Sequence, residues 1–126
     1  MNLPEGILCS KSHEYVYEKG GVHIIGITDF AVEQLGDIVF IELPDEGAHF
    51  HKGEVFGTIE SVKAASEMYM PVSGTVKKVN SELFDKPELL NVDPYEKAWL
   101  VAVEPDNFSS DIIDLLEYDD YKEEVS

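Results

Sequence analysis

The sequence predicts a mainly β domain of two small antiparallel sheets, with one short helix inside the chain and another at its C-terminus. Three observations predict it: short β-branched runs separated by glycine and proline turns, one isolated helical stretch between the first two runs, and a switch to helical periodicity only near residue 107. A chain of 126 residues fits a single domain, 1–126, able to bury about two-thirds of its unfolded surface without disulfide or metal.

The elements follow in order. "GGVHIIGI" (20–27) and "DIVFIEL" (37–43) read as strands, the second with too little polar alternation to keep one face in water and therefore expected to be well buried. Between them "TDFAVEQLG" sets Phe30, Ala31, Gln34 and Leu35 at helical spacing, with Thr28 or Asp29 as N-cap and Gly36 as the left-handed stop. After "LPDEG" come "VFGTIE" (55–60), "ASEMYM" (65–70), "GTVKKV" (74–79) and "AWLVAVE" (98–104), whose spacing indicates a sandwich or barrel. Residues 107–126 are expected to form an acidic C-terminal helix and tail, capped by Ser109, with Phe108 stapled to Ile113 and with Ile112, Leu115 and Leu116 on one side.

Charge narrows the function. Nine Lys and Arg against 26 Asp and Glu give a net charge of −17, which repels phosphate backbones and anionic headgroups, so neither nucleic acid nor a membrane surface is expected as a partner. Seven acids and one lysine between Asp111 and Glu124 read as a solvated face. The N-terminus lacks a basic segment followed by an apolar one, and no run reaches the roughly 20 residues of a spanning helix. With the lone Cys9, this indicates a cytoplasmic chain in a reducing compartment. His49 and His51 supply two ligands and no metal site; His13, His23 and Cys9 lack a partner at catalytic spacing, so no metal and no catalytic residue is expected.

Lys63 stands out. In "EVFGTIESVKAASEMYMPVSGTV" the strands before Ile59 and after Ala65 can pair antiparallel, which leaves Glu60 to Ala64 as the connection and Lys63 near its tip. This stretch resembles the attachment hairpin of lipoyl and biotinyl carrier domains, where one lysine at a β-turn is acylated by the cofactor. Biotin carriers usually have Met on both sides of that lysine; Val62 and Ala64 flank it here, which favours lipoyl.

The likeness extends from about residue 8 to residue 104. "SHEYV", "IGITDFAVEQLGDIVFIELP", "GTIESVKAASEMYMPVSGTVKKVN" and "PELLNVDPYEKAWL" resemble, in order and spacing, the H protein family of the glycine cleavage system. Two positions depart from its pattern: Tyr15 stands where the family usually has Trp, and Ala98 where it has Gly. The fold so implied is a barrel-sandwich hybrid. The resemblance implies a non-catalytic lipoyl carrier, monomeric, with lipoate on Lys63. Glycine decarboxylase (P protein) would load an aminomethyl group on the arm, aminomethyltransferase (T protein) would take it, and dihydrolipoyl dehydrogenase (L protein) would reoxidise the dithiol.

An ammonium is a poor nucleophile, so attachment calls for a lipoate ligase or octanoyltransferase that reads Glu60, Ser61, Val62 and Ala64 of the turn. By motif position in the family, Ser12, Glu14 and Glu67 are expected to line the cleft that shields the loaded arm, through charge-assisted hydrogen bonds. Two rival readings remain: a lipoyl or octanoyl donor in a relay to other lipoylated proteins, and an unmodified interaction module with an acidic surface.

Overall fold

Val16, Ile25 and Ile27 are fully or almost fully buried on neighbouring strands, and they face a second layer that carries Ile41, Phe56, Ile59 and Met68. The computed structural model, which describes residues 3–125, builds this core from two antiparallel sheets. The chain begins with β1 (Leu8–Cys9), β2 (Glu14–Lys19), β3 (Val22–Ile27), α1 (Asp29–Leu35), β4 (Ile38–Glu42) and β5 (His49–Phe50). It continues with β6 (Val55–Ser61), β7 (Ala65–Tyr69), β8 (Gly74–Val79), α2 (Glu82–Asp85), α3 (Leu89–Val92) and β9 (Val101–Pro105). The end of the chain forms α4 (Phe108–Asp111), β10 (Leu116–Glu117) and α5 (Tyr118–Val125). One sheet has seven strands in the order β10-β1-β2-β3-β9-β8-β5, and the other has three in the order β4-β6-β7.

The mainly β, two-sheet architecture matches the expectation, but the sheets are unequal. The larger one is covered on both faces: Val16 and Ile25 point to the inter-sheet core, while Tyr15, Tyr17 and Ile24 meet Cys9, Tyr95 and Tyr121 on the other side. A fully buried aliphatic side chain contributes about 1.5–3 kcal/mol and an exposed ion pair about 0–1 kcal/mol. The cores therefore carry the fold, despite the excess of acid on its surface.

Helix α1 forms as its sequence dictates. Thr28 Oγ1 accepts the Ala31 N–H at 3.2 Å, and Gly36, at φ 80°, ends the helix by donating its N–H to the Val32 carbonyl at 3.0 Å. A side chain at Gly36 would be strained there.

Four expectations are corrected. The strand expected over 37–43 is not well buried: β4 is an edge strand of the small sheet, and an irregular register between Ile38 and Phe40 leaves Val39 and Phe40 about half exposed. The single C-terminal helix is broken into α4, β10 and α5, because Leu116 pairs with Cys9 in the large sheet. Ile113 is 82% exposed and so staples nothing, while the Phe108 ring packs on His23 at 4.3 Å. Finally, Glu60 and Ser61 belong to β6 rather than to the connection.

The two departures from the family pattern are absorbed locally. Tyr15 is buried and donates its hydroxyl to the Pro94 carbonyl at 2.7 Å, its ring lying so close to Gly26 that a methyl built there would stand 2.4 Å from the hydroxyl. Ala98 is buried with an ordinary backbone, and His13 is the one non-glycine residue with positive φ among those described.

Candidate functional site

Strands β6 and β7 pair from Val55↔Tyr69 to Glu60↔Ala65, and Ser61 N–H donates to the Ala64 carbonyl at 2.8 Å. Val62 and Lys63 are thus the two central residues of a tight turn. Ser61 Oγ accepts from the backbone of Lys63 at 3.3 Å and of Ala64 at 3.1 Å, so its side chain pins the turn from inside. The turn is also tied sideways: Val62 N–H donates to the Asp37 carbonyl at 3.0 Å, just after α1. Asn91 brackets the same corner, its amide donating to the Gly36 carbonyl at 2.8 Å and accepting the Ile38 N–H at 3.0 Å.

Lys63 itself is exposed, and Val62 beside it is 70% exposed. A methyl built on Gly36 would lie 3.6 Å from Lys63 Cε, so the lysine stem leans over the end of α1. Leu35, the residue before, is part of the wall of a cavity of about 260 Å³. That cavity opens between α1, β2 and β7. Its apolar wall comes from Ile27, Phe30, Ala31, Leu35, Ile59 and Met68; its polar lining comes from Ser12, His13, Glu14, Gln34, Ser66 and Glu67.

Ser12 of the β1–β2 turn, Glu14 of the large sheet and Glu67 of the small one therefore meet at one cavity. Glu14 is not a surface acid: it is 1% exposed. One carboxylate oxygen accepts the hydroxyls of Ser10 (2.9 Å) and Ser12, and the other accepts the Tyr69 N–H at 3.0 Å. Burial pushes its acid strength down, that is, its pKa up, and the hydrogen bonds from Ser12, Tyr69 and Ser10 oppose this. Glu67 stays exposed and accepts the Tyr69 hydroxyl at 3.4 Å. With Glu14 and Glu67 in its lining and apolar side chains along its wall, the cavity suits a short positive group carried on an apolar tether.

From the sequence, His13 is set aside as a catalytic residue and Gln34 is read only as a helix position, with neither assigned to the cleft; Asn91 is not singled out. His13 lies between Ser12 and Glu14, so its position was visible, whereas the contact of Asn91 with a corner 53 residues away was not. His49 and His51 stand apart, with rings 5.1 Å from each other and His49 Nε2 2.6 Å from Asp106 Oδ2. No group of three or more potential metal ligands exists among the described residues. No helix among them is long and apolar enough to cross a membrane.

Two packed antiparallel sheets, with one lysine held out on a hairpin of the smaller one, define a barrel-sandwich hybrid. The chain belongs to the glycine cleavage H-protein family, whose sequence profile matches residues 7–126. It is similar to the glycine cleavage system H protein of Halalkalibacterium halodurans, 51% identical over 125 residues, with 99% of this chain and 97% of the relative covered. The same protein of a Geobacillus species is also 51% identical over 125 residues, with 99% and 98% covered. Among solved structures, the crystal structure of a glycine cleavage system H protein from Mycobacterium marinum superposes with a TM-score of 0.87 at 33% identity, covering 98% of each chain.

Proposed function

We propose that this chain is the lipoyl carrier of the glycine cleavage system, with lipoate joined as an amide to Lys63 Nζ. One observation carries the reading: a lysine leaning from a doubly tied hairpin over the end of α1, next to Leu35 of a cavity lined by apolar side chains and two glutamates. When bound, lipoate supplies a redox-active dithiolane on a long tether that glycine decarboxylase, aminomethyltransferase and dihydrolipoyl dehydrogenase visit in turn.

The residues of the chain divide the work. Ser61 and Asp37 fix the turn, so that a lipoate ligase or octanoyltransferase meets Lys63 in a defined place between Val62 and Ala64, with Glu60 beside them. Ser12, Glu14 and Glu67 hold the positive end of the cargo, and the apolar wall keeps water from it between encounters. The chain itself catalyses nothing. In support, Cys9 is buried and its thiol is pushed up to about 12 by burial and by the nearby Asp29 charge, far from a reactive thiolate. The carrier acts as a cytoplasmic monomer.

The test is turnover of glycine by the three enzymes together, supplied with the modified chain or with Lys63→Arg. Turnover is expected only with the former. Deleting the gene separates the relay role: loss of glycine breakdown alone fits the carrier, and loss of lipoylation on other proteins fits a donor.

A further inference from the structure

His13 carries the positive φ of 78° noted above, and its ring is clamped between Phe30 (5.1 Å) and Tyr121 (5.8 Å) on the cavity wall. Non-glycine residues held in this region are strained, and such strain gathers at functional sites. Nδ1 lies 2.8 Å from the Tyr121 hydroxyl, which lies 2.7 Å from Thr28 Oγ1. Counting protons fixes the direction of this chain. Thr28 is wholly buried and its oxygen already accepts the Ala31 N–H; among the described residues, the Tyr121 oxygen is its one further side-chain partner. Thr28 therefore donates to Tyr121, Tyr121 donates to His13 Nδ1, and the imidazole proton is on Nε2.

We propose that Tyr121 of the C-terminal helix is a positioning residue that holds His13 as the neutral Nε2–H imidazole, so that the cavity offers carboxylates and no competing cation to a positively charged group. The proposal rests on the reading of the cavity as the place where the loaded arm folds back. A protonated His13 needs an acceptor on Nδ1. Tyr121 could provide it only by turning its own proton toward Thr28, which would strand the Thr28 proton in a dry site. Burial lowers the His13 pKa in the same direction.

Other charges around His13 pull the opposite way or are neutralised. Glu14 is adjacent in the chain and Glu67 stands across the cavity; both favour a proton on the ring. On α1, Asp29 is engaged by Tyr95, Tyr118 and Lys122, and the Cys9 thiol and Tyr121 phenol are pushed up to about 12 and remain neutral. The hydroxyl relay is what outweighs the two glutamates.

The first test uses nitrogen NMR of the histidine side chains in the unmodified chain, titrated from about pH 8 to pH 5. It expects the Nε2–H form of His13, with protonation at higher pH in Tyr121→Phe. The second follows hydrolysis of the loaded arm. For Tyr121→Phe, the rate relative to the unaltered chain is expected to climb roughly tenfold as pH falls, the worth of about one buried hydrogen bond, while modification of Lys63 stays at its normal rate. In His13→Asn, which tolerates positive φ and does not titrate, the relative rate should be flat with pH. An Nδ1–H tautomer, an unchanged His13 titration in Tyr121→Phe, or acceleration equal at all pH values would overturn the proposal. A loaded arm that hydrolyses in the unaltered chain as fast as free in water would instead overturn the cavity reading, and the NMR result would be untouched by it.

Discussion

The hairpin tip and the cavity behind it are built on opposite principles. At the tip, Lys63 and Val62 are exposed and their order comes from backbone bonds to Ala64 and Asp37 and from the Ser61 hydroxyl. Behind it, Glu14, Thr28 and Tyr121 are buried, and side-chain hydrogen bonds engage each of them. In the proposed function the tip must be reachable by several enzymes, and an exposed Lys63 side chain meets that need at little cost in stability. A holding site must exclude water and keep its donors and acceptors in place before the cargo arrives, which calls for buried and fully partnered polar groups.

The sharpest way to break the contrast is at the tip. Lys63→Arg is expected to abolish modification outright while leaving Tm unchanged within a degree or so, since an exposed cation replaces another; intact mass and thermal melting check both halves. Next comes Glu14→Gln, expected to speed hydrolysis of the loaded arm by about tenfold, as one charge-assisted bond is weakened. The same change should leave stability equal or higher, because burial disfavours the Glu14 charge and a glutamine can still accept from Tyr69 and meet both serines. A large drop in Tm would count against the cavity as a functional reserve.

Asn91→Ala joins the two regions. It removes two hydrogen bonds from the corner that anchors Val62 and should cost about 1–2 kcal/mol by urea unfolding, with slower modification of Lys63 but normal protection once the arm is loaded.

The smallest effect is on pH dependence. Burial depresses His13 and His23, so the unfolded chain takes up protons first; stability is full above the ordinary histidine value near 6.5 and declines as pH falls below it, by no more than a few degrees in Tm. Asp29 acts lower. Although burial works against it, hydrogen bonds from Tyr95, Lys122 and Tyr118 hold its carboxyl below the usual range, so its contribution is present above about pH 4 and lost as pH falls through its folded value. Two separate acid phases in a melting series would support this; one phase in Asp29→Asn that matches the unaltered chain would not.

Much of the tip was legible in the sequence because hairpins are local: two apolar runs, a short gap and one lysine are enough to place Lys63. The α1 helix was legible for the same reason, through Thr28 and Gly36. Strand β2 was not, because Glu14, Tyr15, Val16 and Tyr17 are all buried and leave no alternation to read. The C-terminal segment misled through its helical spacing, since pairing of Leu116 with Cys9 is a contact across more than a hundred residues. Ser12, Glu14 and Glu67 were reached by resemblance, but their convergence on one cavity, the burial of Glu14 and the Thr28–Tyr121–His13 chain are tertiary facts. His13 fell between two residues already chosen and was set aside for want of a partner at catalytic spacing, because its partner, Tyr121, lies 108 residues along the chain.

The central claim is that the amine of Lys63 is the point at which this chain is made functional. Intact mass of the chain, expressed in cells supplied with lipoate, tests it most directly, with Lys63→Ala grown alongside. The account predicts the added mass of one lipoyl amide on the unaltered chain, mapped to Lys63, and none on the variant. An unmodified chain in those cells, or an equal gain in mass on Lys63→Ala, would contradict it.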